Sequence, residues 1–510
     1  MNPSSYQSNV IEAVKNGKGN ILIQAVAGSG KTTLLLMITK HISKAIALMF
    51  NRKIYIELEA KLIKNGIQST IAKTVHSAGY GAFRKRFGYG VLLNADKVRD
   101  IIVSQYPETQ VSIYGSFVSK LVQLAKDSGF GLGGQFPAIA NTQAWQNLIE
   151  HHDLSLDYDD ASFEVAIQMA QNCLAISNRD LKTVDYQDMV YLPLLTNTVL
   201  PKFDWILVDE CQDLSPLRIA MIKAMLPIHG RVVVVGDRQQ AIYGFTGADS
   251  EAMETIKAEF NAQEFPLSVC YRCSKSVIRH VKNIVPSSPI EAWDQSPEGS
   301  VSSIEYKEFL NLKNTLTGAD AILCRNNSPL VKTAFKLIAN GIGCRIEGRD
   351  IGVSLIKLVK RWKVKTLNSL SDRLTTYLDR ETQKLRSKGK DSAAGLLEDR
   401  VECLRTLITK CQSDGKHSLR ELETLILGMF TDGENNPNKN LVTLCSSHKS
   451  KGLEWDRVFL LDRQAYMPSP WATRDWMLVQ ESNLVYVSLT RAKRDLIEVT
   501  GVKDFLKNGE

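Results

Sequence analysis

Fourteen residues near the start of the chain leave few folds open: Asn20-Ile-Leu-Ile-Gln-Ala-Val-Ala-Gly-Ser-Gly-Lys-Thr-Thr33. An apolar stretch of strand length runs into small residues and then into a helix start. Gly28, Gly30, Lys31 and Thr32 fit the end of a G-x-x-x-x-G-K-[ST] phosphate loop. Small residues let the backbone N–H groups of Ala27, Gly28, Ser29 and Gly30 wrap phosphate oxygens, with Thr33 opening the helix behind them. In such a loop Lys31 reaches the outer phosphates, Thr32 offers its hydroxyl to Mg2+, and the helix N-terminus adds a favourable dipole. The first position of the pattern is Ala25 rather than glycine. Alanine disfavours positive φ, so this residue must keep an ordinary backbone conformation.

The loop requires a parallel sheet behind it, and the rest of the chain supplies candidate strands. Ala45 to Phe50, Trp205 to Asp209 and Arg231 to Gly236 are short, continuously apolar runs between helical patterns, the signature of strands covered on both faces. The same texture returns at Ala319 to Cys324, Leu441 to Cys445, Val458 to Asp462 and Leu496 to Thr500. Helix-rich stretches separate the strands, from about 83 to 180 and from about 352 to 430. At 44% apolar and 23% charged residues the chain has a globular mix, which excludes disorder as a whole-chain description. The expected fold class is α/β.

Phe203-Asp-Trp-Ile-Leu-Val-Asp-Glu-Cys-Gln-Asp213 places a hydrophobic strand directly before a cluster of carboxylates. Asp209 at the strand tip suits Mg2+, with Thr32 as its partner ligand, and Glu210 suits polarising an attacking water. Adjacent carboxylates repel one another without a cation, so the pair points to a metal–nucleotide complex.

Asp209-Glu210-Cys211-Gln212-Asp213 resembles the DExQD motif of superfamily 1 helicases of the UvrD/Rep/PcrA type. Further motifs follow in that family's order: Gly236-Asp-Arg-Gln-Gln-Ala-Ile-Tyr243, Leu267-Ser-Val-Cys-Tyr-Arg-Cys273, Ser446-Ser-His-Lys-Ser-Lys-Gly-Leu-Glu-Trp455 and Leu484-Val-Tyr-Val-Ser-Leu-Thr-Arg-Ala492. The resemblance implies two RecA-like P-loop NTPase domains, each with a mainly helical insertion. The first motor domain is expected at 1–82 and 183–266, with its insertion at 83–182. The second is expected at 267–348 and 439–510, with a basic insertion at 349–438.

The roles that follow are what the resemblance implies. ATP with Mg2+ binds between the two domains and its hydrolysis drives 3′→5′ movement on single-stranded DNA. Gln7 reads the adenine and Tyr271 stacks on it. Gln240 senses the γ-phosphate, Arg272 and Arg491 act as arginine fingers, and Gly452 and Glu454 join the nucleotide site. Phe50, Asn51, Thr74, His76, Tyr243, Phe245 and His448 are the expected DNA contacts. Stacking on such aromatics contributes roughly 1–3 kcal/mol per base. The expected partners are single-stranded and forked DNA. The alternative is a single-strand-stimulated ATPase and translocase that strips proteins from a strand or powers a larger complex without strong unwinding.

Charge agrees with a polyanionic partner without proving one. The chain carries 63 basic and 55 acidic residues, a net charge of +8. The segment 357–390 holds 11 Lys/Arg against 3 Asp/Glu, which makes the second insertion a candidate grip on duplex DNA. Nine scattered cysteines argue for a reducing compartment, and Cys270 and Cys273 form a CxxC pair without the two further ligands a zinc site needs. No secretory leader or apolar run of membrane-spanning length is read, so a cytoplasmic protein away from membranes is expected; a monomer is the expected state.

Overall fold

The computed structural model describes residues 3–49, 52–152, 154, 156, 161–242, 252–312, 315–362, 364–387, 391–431, 441–470, 472 and 474–507. The chain forms two units, Met1–Ser268 and Val269–Glu510. Among the described residues no helix is long and apolar enough to cross a membrane.

In the first unit six described strands form a parallel sheet. They are β1 (Asn20–Ala25), β2 (Ala45–Met49), β3 (Thr70–Thr74), β4 (Trp205–Val208), β5 (Arg231–Gly236) and β6 (Ala262–Leu267), in the order β3-β2-β4-β5-β1-β6. Alternate side chains go to opposite layers. Ile21, Ile23, Val233 and Val235 pack with Val10, Leu34, Leu35 and Ile38 on one face. Leu22, Val232, Val234 and Ile206 pack with the helices of the other face. Both faces are therefore buried, which is why the central strands read as unbroken apolar runs.

The helices at Lys97–Gln105, Glu108–Asp127 and Phe163–Arg179 share the second of these cores rather than building one of their own. A fully buried ionic group pins them. Lys97 meets Asp188 at 2.8 Å, and Lys126 meets Asp185 at 2.7 Å and Asp188 at 2.6 Å. Lys97 also donates to the carbonyls of Ser177 and Asp180. Burying ammonium and carboxylate groups together is tolerable only with such complete pairing.

In the second unit seven described strands form a parallel sheet: β7 (Ser300–Glu305), β8 (Asp320–Cys324), β9 (Cys344–Glu347), β10 (Phe430–Thr431), β11 (Val442–Ser446), β12 (Trp455–Leu461) and β13 (Ala492–Thr500). Their order is β7-β13-β12-β8-β11-β9-β10. The helices Leu367–Ser387, Asp391–Ser413 and Leu419–Met429 lie between β9 and β11 in sequence and join the same core through Leu370, Leu374, Leu404, Leu422 and Ile426. The Asp399 carboxylate caps the helix Asn327–Ala339 by accepting N–H bonds from Asn327 and Ser328 at 3.0 and 2.9 Å. Of the basic stretch 357–390, Lys360, Arg380 and Arg386 already pair with Glu423, Glu381 and Glu398.

Candidate functional site

The phosphate loop leaves the C-terminal end of β1, in the interior of the sheet. Ala25 is the last residue of that strand and is extended, so the departure from glycine costs nothing there. Gly28 and Gly30 take φ of 67° and 79°, a region open to glycine at little cost. Buried Ser29 closes the loop by donating its hydroxyl to the Val26 carbonyl at 2.8 Å. Gly30 then caps the helix Lys31–Ile38.

Lys31 projects from the first turn of that helix onto Glu210, with Nζ 2.8 Å from Oε1. Burial disfavours its ammonium, but the charges of Glu210, Asp209 and Asp237 more than offset this and raise its pKa. Asp209 stands at the end of β4. Burial, then the neighbouring Glu210 charge, push its carboxyl up to about 6, against the opposing pull of Lys31 and a hydrogen bond from the Thr32 hydroxyl. Glu210 takes a left-handed backbone conformation, φ 53° and ψ 45°, a strain of about 1–3 kcal/mol for a non-glycine residue. That kink turns the strand end into the loop and sets the two carboxylates side by side.

The network continues away from the loop. The Gln212 amide donates to Glu210, and its oxygen accepts from the Asp237 N–H at 3.0 Å. Asp237 in turn accepts from the Gln240 amide at 2.6 Å. All three side chains are buried. Gly236 makes the approach feasible: a Cβ there would lie 2.6 Å from Gln212 Oε1 and 2.7 Å from Cys211 Sγ. Gln240 is therefore connected to Lys31 through Asp237, Gln212 and Glu210. The sequence reading gave no role to Gln212 or Asp237. Their signal was their place inside the Asp209–Asp213 and Gly236–Tyr243 segments.

Gln7 lies buried in the first turn of the helix Ser5–Asn16. Its amide oxygen accepts from the Ser4 N–H at 3.0 Å while Ser4 Oγ caps the Gln7 N–H, a reciprocal cap that fixes the side chain. An amide oxygen has a second lone pair, so this cap is compatible with a base contact.

Among the expected strand contacts, Phe50, Asn51, Tyr243 and Phe245 lie outside the described residues. Thr74 caps the helix Val75–Phe87 in a reciprocal pair with Ser77. His76 follows it. Burial and then the Arg218 charge lower its pKa to about 4, so at neutral pH it is an uncharged hydrogen-bonding group. A cavity of about 20 Å3, the size of a single water, is lined by His76, Arg218 and Asp209 together with apolar residues. Arg218 was not singled out by sequence.

In the second unit Tyr271 and Arg272 follow the short strand Val269–Cys270. Tyr271 meets Trp293 edge to face at 5.5 Å, a neighbour the sequence did not indicate. Arg272 is paired: its Nε lies 2.6 Å from Glu454 Oε2 and its Nη1 donates to the Thr490 carbonyl at 3.3 Å. Burial would raise the Glu454 carboxyl, but Arg272 and Lys493 hold it below its ordinary value. Gly452, two residues earlier, has φ 85°.

Arg491 is fully buried. Its guanidinium donates to the carbonyls of Val487 and Leu453 at 2.9 and 3.1 Å and to Thr490 Oγ1 at 3.1 Å. To serve as a finger this buried guanidinium must become accessible to a phosphate oxygen. Burial, then the Arg325 charge, lower the His448 pKa to about 3, leaving it neutral like His76.

The donor set at the end of β4 fits Mg2+. Thr32 and Asp209 already share a hydrogen bond, and the buried Asp209 carboxylate beside the partly exposed Glu210 carboxylate favours a cation. Mg2+ is held through one or two carboxylates plus substrate phosphates, so these groups suffice for it.

Comparison with known proteins follows the same division. Residues 7–261, half of the chain, match the UvrD/REP helicase N-terminal domain, and residues 355–500 match the UvrD-like helicase C-terminal domain. The chain is 23% identical to F-box DNA helicase protein 1 of Schizosaccharomyces pombe over 97% of its length, and it spans 57% of that relative. It is 23% identical to DNA helicase II of Haemophilus influenzae, over 95% of this chain and 82% of that one. It is 25% identical to ATP-dependent DNA helicase PcrA of Bacillus subtilis, over 56% of this chain and 41% of that one.

Proposed function

The chain belongs to the UvrD/REP helicase family, and on that premise we propose that it is an ATP-dependent DNA helicase moving 3′→5′ on single-stranded DNA. The observation that carries this reading is the buried chain of contacts Lys31–Glu210–Gln212–Asp237–Gln240. It ties a phosphate-binding lysine to the segment that leads into the expected strand contacts Tyr243 and Phe245.

In this mechanism the loop N–H groups and Lys31 bind and orient the outer phosphates. Thr32 and Asp209 would hold Mg2+, which would supply positive charge against the phosphates. Glu210 accepts a proton from the attacking water. To do so it must release Lys31, whose ammonium then turns to the γ-phosphate. Gln240 feels that exchange through Asp237 and Gln212, which gives hydrolysis a physical route to the strand. Arg272 and Arg491 supply positive charge to the transferring phosphoryl group. Neutral His76 and His448 contact the strand by hydrogen bonding rather than by charge.

The test is ATP turnover with and without single-stranded DNA, followed by unwinding of duplexes with a 3′ or a 5′ tail. Strand-stimulated turnover with unwinding of the 3′-tailed duplex is expected. Turnover without unwinding of either duplex would favour the translocase alternative. Indifference to DNA would reject both.

A further inference from the structure

Cys270 and Cys273 flank Tyr271 and Arg272, the two residues assigned to the adenine and the γ-phosphate. Both sulfurs are fully buried, and the Cys273 N–H donates to Cys270 Sγ at 3.4 Å. The pair leads directly into the helix Lys275–Ile284. The Cys273 thiol donates to the Thr490 carbonyl at 3.6 Å, the same oxygen that accepts Arg272 Nη1. Ser274 extends this contact, with its N–H on the Lys493 carbonyl and its hydroxyl on the Arg494 carbonyl, each at 2.7 Å. Segments 270–274 and 490–494 are thus tied into one block, and that block carries both Arg272 and Arg491.

The nine cysteines differ in reactivity. Seven lie outside the pair, and burial pushes each of their thiols up. Cys270 departs in the other direction. When Cys270 ionises, the Cys273 S–H turns from the Thr490 carbonyl to Cys270 Sγ, and this hydrogen bond, aided by backbone N–H groups and the Arg272 charge, outweighs burial and holds Cys270 at about 7. A thiolate is the reactive form of cysteine, so oxidation begins at Cys270.

We propose that Cys270 and Cys273 are a modification site, an oxidisable dithiol whose disulfide disturbs the Tyr271–Arg272 segment and suppresses nucleotide turnover. The suppression rests on the nucleotide role proposed above for that segment. The oxidant is a hydroperoxide; because both sulfurs are buried, it reaches Cys270 when the segment around it opens. The Cys270 thiolate attacks the peroxide oxygen; the S–O bond forms, the O–O bond breaks, and water leaves after proton uptake. Cys273, losing its proton, attacks Cys270 Sγ; the S–S bond forms and the sulfenic oxygen leaves as a second water. Two thiols are oxidised and one peroxide is reduced to two waters. A disulfide needs its sulfurs about 2.05 Å apart, which closes a small ring around Tyr271 and Arg272. It also removes the S–H donor from the Thr490 carbonyl, loosening one of the contacts that unite the block.

The experiment treats the full chain with hydrogen peroxide and reads the thiols by mass, turnover with single-stranded DNA, and binding of a fluorescent ATP analogue. A Cys270–Cys273 disulfide, seen as the loss of two hydrogens, is expected. Turnover should fall about a hundredfold, the order set by a catalytic group displaced by ~1 Å, and should return with dithiothreitol. Cys270→Ser and Cys273→Ser should turn over normally when reduced and resist peroxide; serine at 273 keeps a donor for the Thr490 carbonyl. Over-oxidation of Cys270 without a disulfide, a disulfide that leaves turnover and binding unchanged, or equal inactivation of both serine variants would overturn the proposal. Failure of the reduced wild-type chain to bind or hydrolyse ATP would instead strike the functional reading, because the mass of the disulfide does not depend on activity.

Discussion

The phosphate loop of the first unit and the arginines of the second solve opposite problems. Around Lys31 the charges form one continuous network in which each group holds the next: Glu210, Gln212, Asp237 and Gln240. That half is built to bind. Around Arg272 and Arg491 the guanidinium groups are held by acceptors of their own unit, Glu454 for the first and the carbonyls of Val487 and Leu453 for the second. That half stores positive charge. The contrast teaches where the energetic gate lies. In the proposed mechanism a phosphate exchanges with Glu210 for Lys31, a swap of one anion for another. In the same mechanism a phosphate reaches Arg491 only if the residues around that fully buried side chain move.

The comparison breaks first at the arginines. Arg491→Ala and Arg272→Ala should each lower strand-stimulated turnover by about 10^3–10^5, the range for an arginine finger, with ATP binding much less affected. Single-turnover hydrolysis checks this, and a loss confined to binding would remove either residue from the finger role. Lys31→Ala should cost about 10^2–10^3 in turnover, as for other preorganised donors that stabilise developing charge. Strand binding in a fluorescence anisotropy titration should survive the change, because the proposed DNA contacts are other residues. Normal hydrolysis by this variant would reject the assignment of the loop.

A smaller effect sharpens the network itself. Asp237→Asn keeps the shape of the link between Gln212 and Gln240 but weakens a hydrogen bond to a charged acceptor, worth about 1.5–3 kcal/mol. The expected result is a ten- to hundredfold loss of the stimulation by DNA, with basal turnover held closer to wild type. Equal loss of both rates would show that Asp237 supports the loop and not the coupling.

How much was legible before the fold was known follows from strand position. In the first sheet β2, β4, β5 and β1 were read from sequence, and these are its four interior strands. The two missed, β3 and β6, are its edges. Thr70–Thr74 alternates between buried and exposed residues, and Ala262–Leu267 includes Pro266, tolerated at an edge where no partner needs its N–H. In the second sheet β13, β12, β8 and β11 were read, while β7, β9 and β10, toward its margins, were not. Continuous hydrophobicity reports burial on both faces, so it finds the middle of a parallel sheet and loses its borders. The site divides in a similar way. Lys31, Asp209 and Glu210 were legible because short spacings fix them on a loop and a strand end. Trp293 beside Tyr271 and Arg218 beside His76 were not, because only the folded chain brings them together.

The smallest expected effect concerns Asp209 and separates stability from function within the binding half. Its carboxyl in the folded chain is pushed up to about 6, above the ordinary 3.8, first by burial and then by Glu210. A raised carboxyl contributes stability that is complete below the ordinary value and is lost as pH rises through about 6. At pH 7 ionised Asp209 therefore works against the nucleotide-free fold. Asp209→Asn removes that charge while keeping an oxygen to accept from Thr32 and the Glu210 N–H. Calorimetry should show its melting temperature without nucleotide raised by ~2–4 °C at pH 7, the shift expected for about 1 kcal/mol in a domain of this size. The gain should vanish near pH 4, where wild-type Asp209 is already protonated. With Mg2+ and ATP present the order should reverse, because only the wild type gains the metal-linked stabilisation. A variant no more stable than wild type without ligand would mean that Lys31 already balances the carboxylate, and the contrast between a strained binding half and a settled storing half would lose its energetic basis.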